Sequence, residues 1–278
     1  MKYVKKAGYF FATIVFLAVT LGPFVWTFLM AITPKAEMFS ASVNLIPKHM
    51  TWSNFQNLFS GGRRSIAYLA GLKNSLCTVV VTVCIGMPVA LVSAYTLGRM
   101  EFAGRRLIKN ALLITMVIPV MATIIPLYKM FASGHMLDST FWLSMVYVSS
   151  YLPMATWMIL NYFLTLPKEL EEAARIDGCG GSKAFFKIIL PLSYPIILSV
   201  SLIMFLSTWS QFQIPLILAS SVDTKPMAIV VSEFVTKDSV EYGLIAAAGM
   251  VSLIPPAMTT IVFRKYLISG IVGGSVKG

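Results

Sequence analysis

A chain of 278 residues that is 57% hydrophobic, with a mean hydropathy of +0.80, is too apolar for a water-soluble domain and holds several runs long enough to cross about 30 Å of hydrocarbon. Its net charge of +11 does not point to nucleic acid, because the 22 Lys and Arg lie scattered between apolar runs instead of on one face with interleaved aromatics. Three cysteines and two histidines, none at metal-ligand spacing, give no expectation of a disulfide framework or a metal site.

The fold class expected is an all-α membrane protein with six transmembrane helices, near 9–32, 74–97, 110–131, 140–163, 193–219 and 243–263. The first follows Lys2, Lys5 and Lys6 like a signal peptide, but its apolar run is longer than a cleavable core, so it is expected to stay as a helix. Basic flanks resist translocation, and a cytoplasmic N-terminus puts most of the basic residues inside. Those are Lys2, Lys5 and Lys6, then Arg99, Arg105, Arg106 and Lys109, then Lys168, Arg175, Lys183 and Lys187, then Arg264, Lys265 and Lys277. Six spans then leave both termini cytoplasmic. Every span contains proline, which bends or breaks a membrane helix; such bends suit a pathway that opens alternately, and they are equally tolerated as plain packing.

Between the fourth and fifth spans lies a charged stretch, LEEAARIDGCGGSKAFFKIILP at 170–191. Glu169, Glu171 and Glu172 fill a first helical turn, where the helix dipole favours carboxylates, and Ala173, Ala174 and Ile176 continue it. Gly178 is expected to stop this helix in a left-handed conformation, with Gly180 and Gly181 after it. A second helix, capped by Ser182, then leads to Pro191. Standing alone, the stretch could also be an amphipathic helix lying on lipid through Phe185, Phe186, Lys183 and Lys187.

In the fifth span, Trp209, Gln211 and Gln213 offer the aromatic and amide groups of a sugar pathway, or simply interhelical hydrogen bonds. The outer loop 220–241 follows. No nucleophile, base and acid set with a local signature is present, and the spans hold no acids of the kind that relay protons. No catalytic residues are therefore assigned, and a membrane hydrolase and a proton-coupled secondary transporter are both disfavoured.

The spacing Glu172-Ala173-Ala174, then Gly178, then Ile188, Leu190 and Pro191 resembles the EAA loop of ATP-binding-cassette (ABC) importer permeases. SAYTLGRMEFAGRR at 93–106, TWSQFQIPL at 208–216 and FRKYLISGIVGGSVKG at 263–278 are similar to segments of carbohydrate permeases, in particular the smaller membrane subunit of maltose-type importers. Two departures are Ser210 where asparagine is usual and Arg264 where glutamine is usual.

The resemblance implies a type I ABC importer permease fold and a single transmembrane permease domain over 1–278, with a cytoplasmic coupling loop at 164–192 and a cytoplasmic tail at 264–278. It further implies ATPase coupling by Glu171, Glu172, Ala173, Ala174, Asp177 and Gly178, and a C-terminal ATPase contact by Gly274, Lys277 and Gly278. The implied partners are a second homologous permease subunit, two ATPase subunits, and an extracytoplasmic sugar-binding protein meeting Asp223, Thr224, Lys225 and Pro226. No GxxxxGK[ST] loop is present, so ATP and Mg belong to the ATPases, and this chain is expected to be no enzyme and to bind no cofactor of its own. Residues 42–61 look most like the first outer loop of malto-oligosaccharide permeases, which makes that sugar the first expectation. The setting is the cell membrane of a prokaryote. An ion-coupled secondary transporter, or an ABC permease for another solute, is the alternative.

Overall fold

The computed structural model describes residues 2–38, 46–235 and 241–272, which form helices and their connections. In chain order the principal helices are α1 (Lys2–Ala31), α2 (Arg63–Arg99), α3 (Arg105–Thr115), α4 (Val120–Ser133), α5 (Thr140–Thr165) and α6 (Glu169–Ile176). They continue with α7 (Gly181–Leu192), α8 (Tyr194–Trp209), α9 (Met227–Ser232), α10 (Tyr242–Ser252) and α11 (Ile254–Val272). Single turns at Lys35–Met38, Ser53–Leu58 and Pro215–Leu218 lie in the connections.

Among the described residues, four stretches are long and apolar enough to span a bilayer: Gly8–Ala31, Arg63–Arg99, Thr140–Thr165 and Tyr242–Tyr266. Counting each bent helix pair as one span raises the number to six. The expected span at 110–131 is not one straight helix, because α3 and α4 meet at 98°. Pro119 lacks an N–H and disfavours helical backbone at the residue before it, so the chain leaves the helix there and restarts with Pro119, extended, as the cap of α4. The expected span at 193–219 is also interrupted: α8 ends at Trp209, and Ser210 to Ile214 separate it from the turn Pro215–Leu218. By contrast, Pro23, Pro88 and Pro153 lie inside unbroken helices.

Helix α2 starts well before the expected residue 74. Its 37 residues extend for about 55 Å, longer than a bilayer core is thick. Asn74, Thr78, Thr82, Gly86, Ala90, Ala94 and Gly98 recur every four residues along it and are all buried. Such a stripe of small side chains lets neighbouring helices approach closely. A Cβ at Gly86 would stand 2.6 Å from Met204 Cε on α8, so glycine is required there unless the methionine moves. Packed on this stripe, α5 and α8 form with α2 the main core, which includes Leu91, Ile159, Phe163, Val200 and Met204.

The outer faces of α1, α3 and α4 are apolar and open, with Phe10, Phe16, Ile114, Met121 and Ile125 among the exposed side chains. Apolar area on this scale needs lipid or another protein to cover it.

Candidate functional site

The charged insert folds as a helix, a glycine turn and a second helix, at the end of the bundle where α2 and α5 finish. Helix α6 ends in a Schellman motif: the Cys179 amide donates to Ala174 O at 2.8 Å, and the Gly178 amide donates to Arg175 O at 3.0 Å. Gly178 has φ +76°, the left-handed backbone expected of it. Ser182 is not the cap of the second helix; α7 begins at Gly181, with Gly180, in extended backbone, in the cap position. Within α7 the residues Phe185–Ile189 form a π turn.

The two faces of α6 differ. Glu169, Glu172, Ala173 and Ile176 lie at helical spacings of three and four and are exposed, Ile176 at 87%. Asp177 and Gly178 are exposed beside them. Glu171 and Ala174 point the other way and are buried, so the acids adjacent in sequence serve opposite faces. Glu171 Oε1 lies 2.9 Å from Arg99 Nε in the last turn of α2, and both side chains are more than nine-tenths buried. The contact is ionic and off the N–H axis, since neither atom has an aligned hydrogen-bond partner. The other carboxylate oxygen accepts from the Tyr95 hydroxyl at 3.3 Å.

Arg99 also donates through Nη2 to Leu166 O, 2.8 Å away, where the chain leaves α5. The Tyr95 ring packs against Phe185 of α7, with centroids 4.8 Å apart, and edge-on to Phe163 of α5 at 6.3 Å. Arg105, beyond the left-handed Gly104, reaches back to the carbonyls of Leu97 (2.9 Å) and Gly98 (3.0 Å) and so caps the end of α2. Tyr95, Arg99 and Arg105 were not singled out as site residues from the sequence. The available signal was the i, i+4 spacing of Tyr95 and Arg99 inside SAYTLGRMEFAGRR.

The remaining expected site residues are elsewhere. Trp209 is buried at the end of α8 and stacks on Phe205, with ring planes 7° apart. It lines an open recess of about 440 Å³ with Leu206, Ser210, Met227 and Ser252. Gln211 donates to the Tyr151 hydroxyl (3.3 Å) and accepts from the amides of Phe212 and Gln213, which organises the break after α8; Gln213 is exposed.

In the loop after α8, Asp223 is exposed, whereas Thr224 and Pro226 are buried. Lys225 pairs with Glu233 at 2.7 Å. The loop is anchored at both sides: Asn74 donates to Val222 O and Lys225 O (2.9 and 3.1 Å), and the Asp138 carboxylate accepts from Ser220, Ser221 and Thr224. Partial burial tends to raise the Asp138 pKa, but these donors outweigh it and hold the carboxyl at about 2. Gly274, Lys277 and Gly278 lie outside the described residues.

The family described as the inner membrane component of binding-protein-dependent transport systems matches residues 86–271, which include the α6–α7 insert and the end of α2 on which it sits. The chain belongs to this family. Among relatives of this permease, the trehalose transport system permease protein SugB of Mycobacterium tuberculosis is 28% identical over 258 residues, covering 92% of each chain. The trehalose/maltose transport system permease protein MalG of Thermococcus litoralis is 28% identical over 277 residues, covering 99% of this chain and 98% of the relative. The crystal structure of a bacterial ABC transporter involved in the import of the acidic polysaccharide alginate contains a chain with the same fold. It matches with a TM-score of 0.81 at 20% identity, over 96% of this permease and 98% of that chain.

Proposed function

We propose that the chain is a transmembrane permease subunit of an ATP-driven sugar importer, with α6 as the helix that docks on a separate ATPase subunit. The observation that carries this reading is the outward face of α6. A short helix with two exposed acids, a small residue and a bare isoleucine, ended by a left-handed glycine, is a rigid convex element able to fill a groove in another protein. Glu172 there can accept charge-assisted hydrogen bonds from a basic ATPase surface. The α6 end of the bundle is then cytosolic, as are both termini, and the chain lies in the inner membrane.

A second permease subunit covers the open apolar faces, two ATPases bind ATP and Mg, and a sugar-binding protein approaches the opposite end, where Asp223 protrudes. ATP can drive the cycle only by binding one arrangement of the assembly better than the other, with about 5.5 kcal/mol needed to turn a 1:99 population into 99:1. The recess beside Trp209 is our candidate for the sugar path in this subunit. The names of the relatives favour a di- or oligosaccharide cargo, with trehalose or maltose first; malto-oligosaccharide rests only on the likeness of residues 42–61.

The test is reconstitution of the complete importer in proteoliposomes, with uptake of labelled trehalose and maltose measured with and without ATP. Uptake that needs ATP and the ATPase supports the reading; uptake driven by an ion gradient without the ATPase would overturn it.

A further inference from the structure

We propose that the buried contact of Glu171 with Arg99 and Tyr95 is a latch that makes α6 and the inner end of α2 one rigid unit, so that Glu171 positions the docking helix and does not touch the ATPase. This rests on the importer reading above and goes further, by dividing the two adjacent acids of the insert between two tasks. Glu172 faces outward, and Glu171 faces into the permease.

The geometry supports a joint and not an incidental ion pair. Arg99 makes contacts in two directions, to the Glu171 carboxylate and to Leu166 O, so one guanidinium fixes both the helix and the strand of chain that leads to it. The planar, permanently charged fork of arginine suits this double contact, which a lysine ammonium would satisfy less well. Tyr95, one turn earlier on α2, holds the other carboxylate oxygen through its hydroxyl and presses its ring on Phe185 of α7. The two arms of the insert are therefore tied to the same turn of α2. That turn cannot fray readily, because Arg105 closes its free carbonyls.

A displacement of α6 by the ATPase then reaches α2 without slack. From α2 it reaches α5 and α8 through the stripe of small residues. Without the latch, α6 would still present Glu172, Ala173 and Ile176 to the ATPase, but its movement would be absorbed at the joint. Docking and transport are thus separable, and Glu171 and Arg99 act on the second alone.

The experiment uses the complete importer in proteoliposomes with labelled trehalose or maltose, whichever the wild-type assembly takes up. Copurification of the ATPase, ATP hydrolysis and sugar uptake are measured for Glu171→Gln, Arg99→Gln, Arg99→Lys and the double variant Glu171→Gln/Arg99→Gln. The expected result is retained copurification and hydrolysis, with sugar moved per ATP falling about tenfold in each glutamine variant, the scale of a typical coupling between sites. Arg99→Lys is expected to fall less, and the double variant no further than the worse single one, since both substitutions break the same joint.

A single variant leaves one buried charge unmatched and can reduce the yield of folded protein. The neutral double variant carries no such charge and still reports the ratio. Loss of ATPase copurification in Glu171→Gln but not in Arg99→Gln would overturn the latch in favour of a direct ATPase contact. An unchanged ratio of sugar to ATP in the double variant would overturn it outright. Failure of the wild-type assembly to import sugar with ATP would instead remove the importer reading itself.

Discussion

Gly178 is the position at which a single substitution tests the docking helix most directly. Its φ of +76° lies in the left-handed region, and a Cβ built there meets nothing within 4 Å. The effect of a side chain is therefore conformational and not steric. An L-residue in that backbone costs about 1–2 kcal/mol, Asn less and β-branched Val more. If the residue leaves that backbone instead, the two closing hydrogen bonds from Gly178 and Cys179 go with it.

A destabilisation of about 1–2 kcal/mol lowers the ratio of correctly formed to unformed loop by roughly five- to thirtyfold. ATP-driven uptake in proteoliposomes is expected to decline in the order Gly, Asn, Ala, Val, while the permease still inserts and pairs with its partner subunit, as judged by copurification. Wild-type uptake in Gly178→Val would refute the reasoning. So would an Asn variant as impaired as Val, because that ranking would indicate side-chain volume and not backbone hand.

Glu172→Ala is expected to weaken ATPase attachment or its stimulation, whereas Lys183→Ala, exposed on the adjoining helix, serves as the control with little effect in the same copurification assay. Asp138 has its folded carboxyl at about 2 against an ordinary 3.8, so its contribution to stability is fully present above about pH 4 and is lost as the pH falls through 2. Asp138→Asn is expected to lower the thermal midpoint at neutral pH and to remove that acid-dependent loss, both read by tryptophan fluorescence in detergent. A reporter fused after Gly278 is expected in the cytosol and one inserted at Asp223 outside; the opposite pattern would invert the orientation.

The apolar runs and the helix–turn–helix character of the insert were legible in the sequence because each depends on local chemistry: hydrophobic length, acids in a first turn, and a glycine that only a left-handed end requires. The bends were harder. Pro119 breaks its span and Pro88 does not, although both interrupt apolar runs; Pro88 lies within a continuous helix whose small-residue stripe is packed against other helices. Hydropathy also missed the first turns of α2, where Arg63 and Arg64 make the segment look like loop. Least legible was the difference between Glu171 and Glu172. Nothing local separates them; their assignment depends on partners on another helix, Tyr95 lying 76 residues away. Asp138 escaped notice for the same reason, since its donors come from a loop more than 80 residues later.

The π turn at Phe185–Ile189 bears on how this part of the chain can change over evolution or under engineering. It accommodates one residue more than an α-helical turn, so that its first and last residues, Phe185 and Ile189, reach the core together with the preceding Ala184 while Phe186 and Lys187 stay outside. Removing a single residue would restore the ordinary helical repeat and rotate everything before it by about 100° relative to the bundle, since successive residues differ by that angle. Connections between helices are usually where chain length varies freely. This one can vary in composition on its outer side, but its length is fixed by the core beneath it.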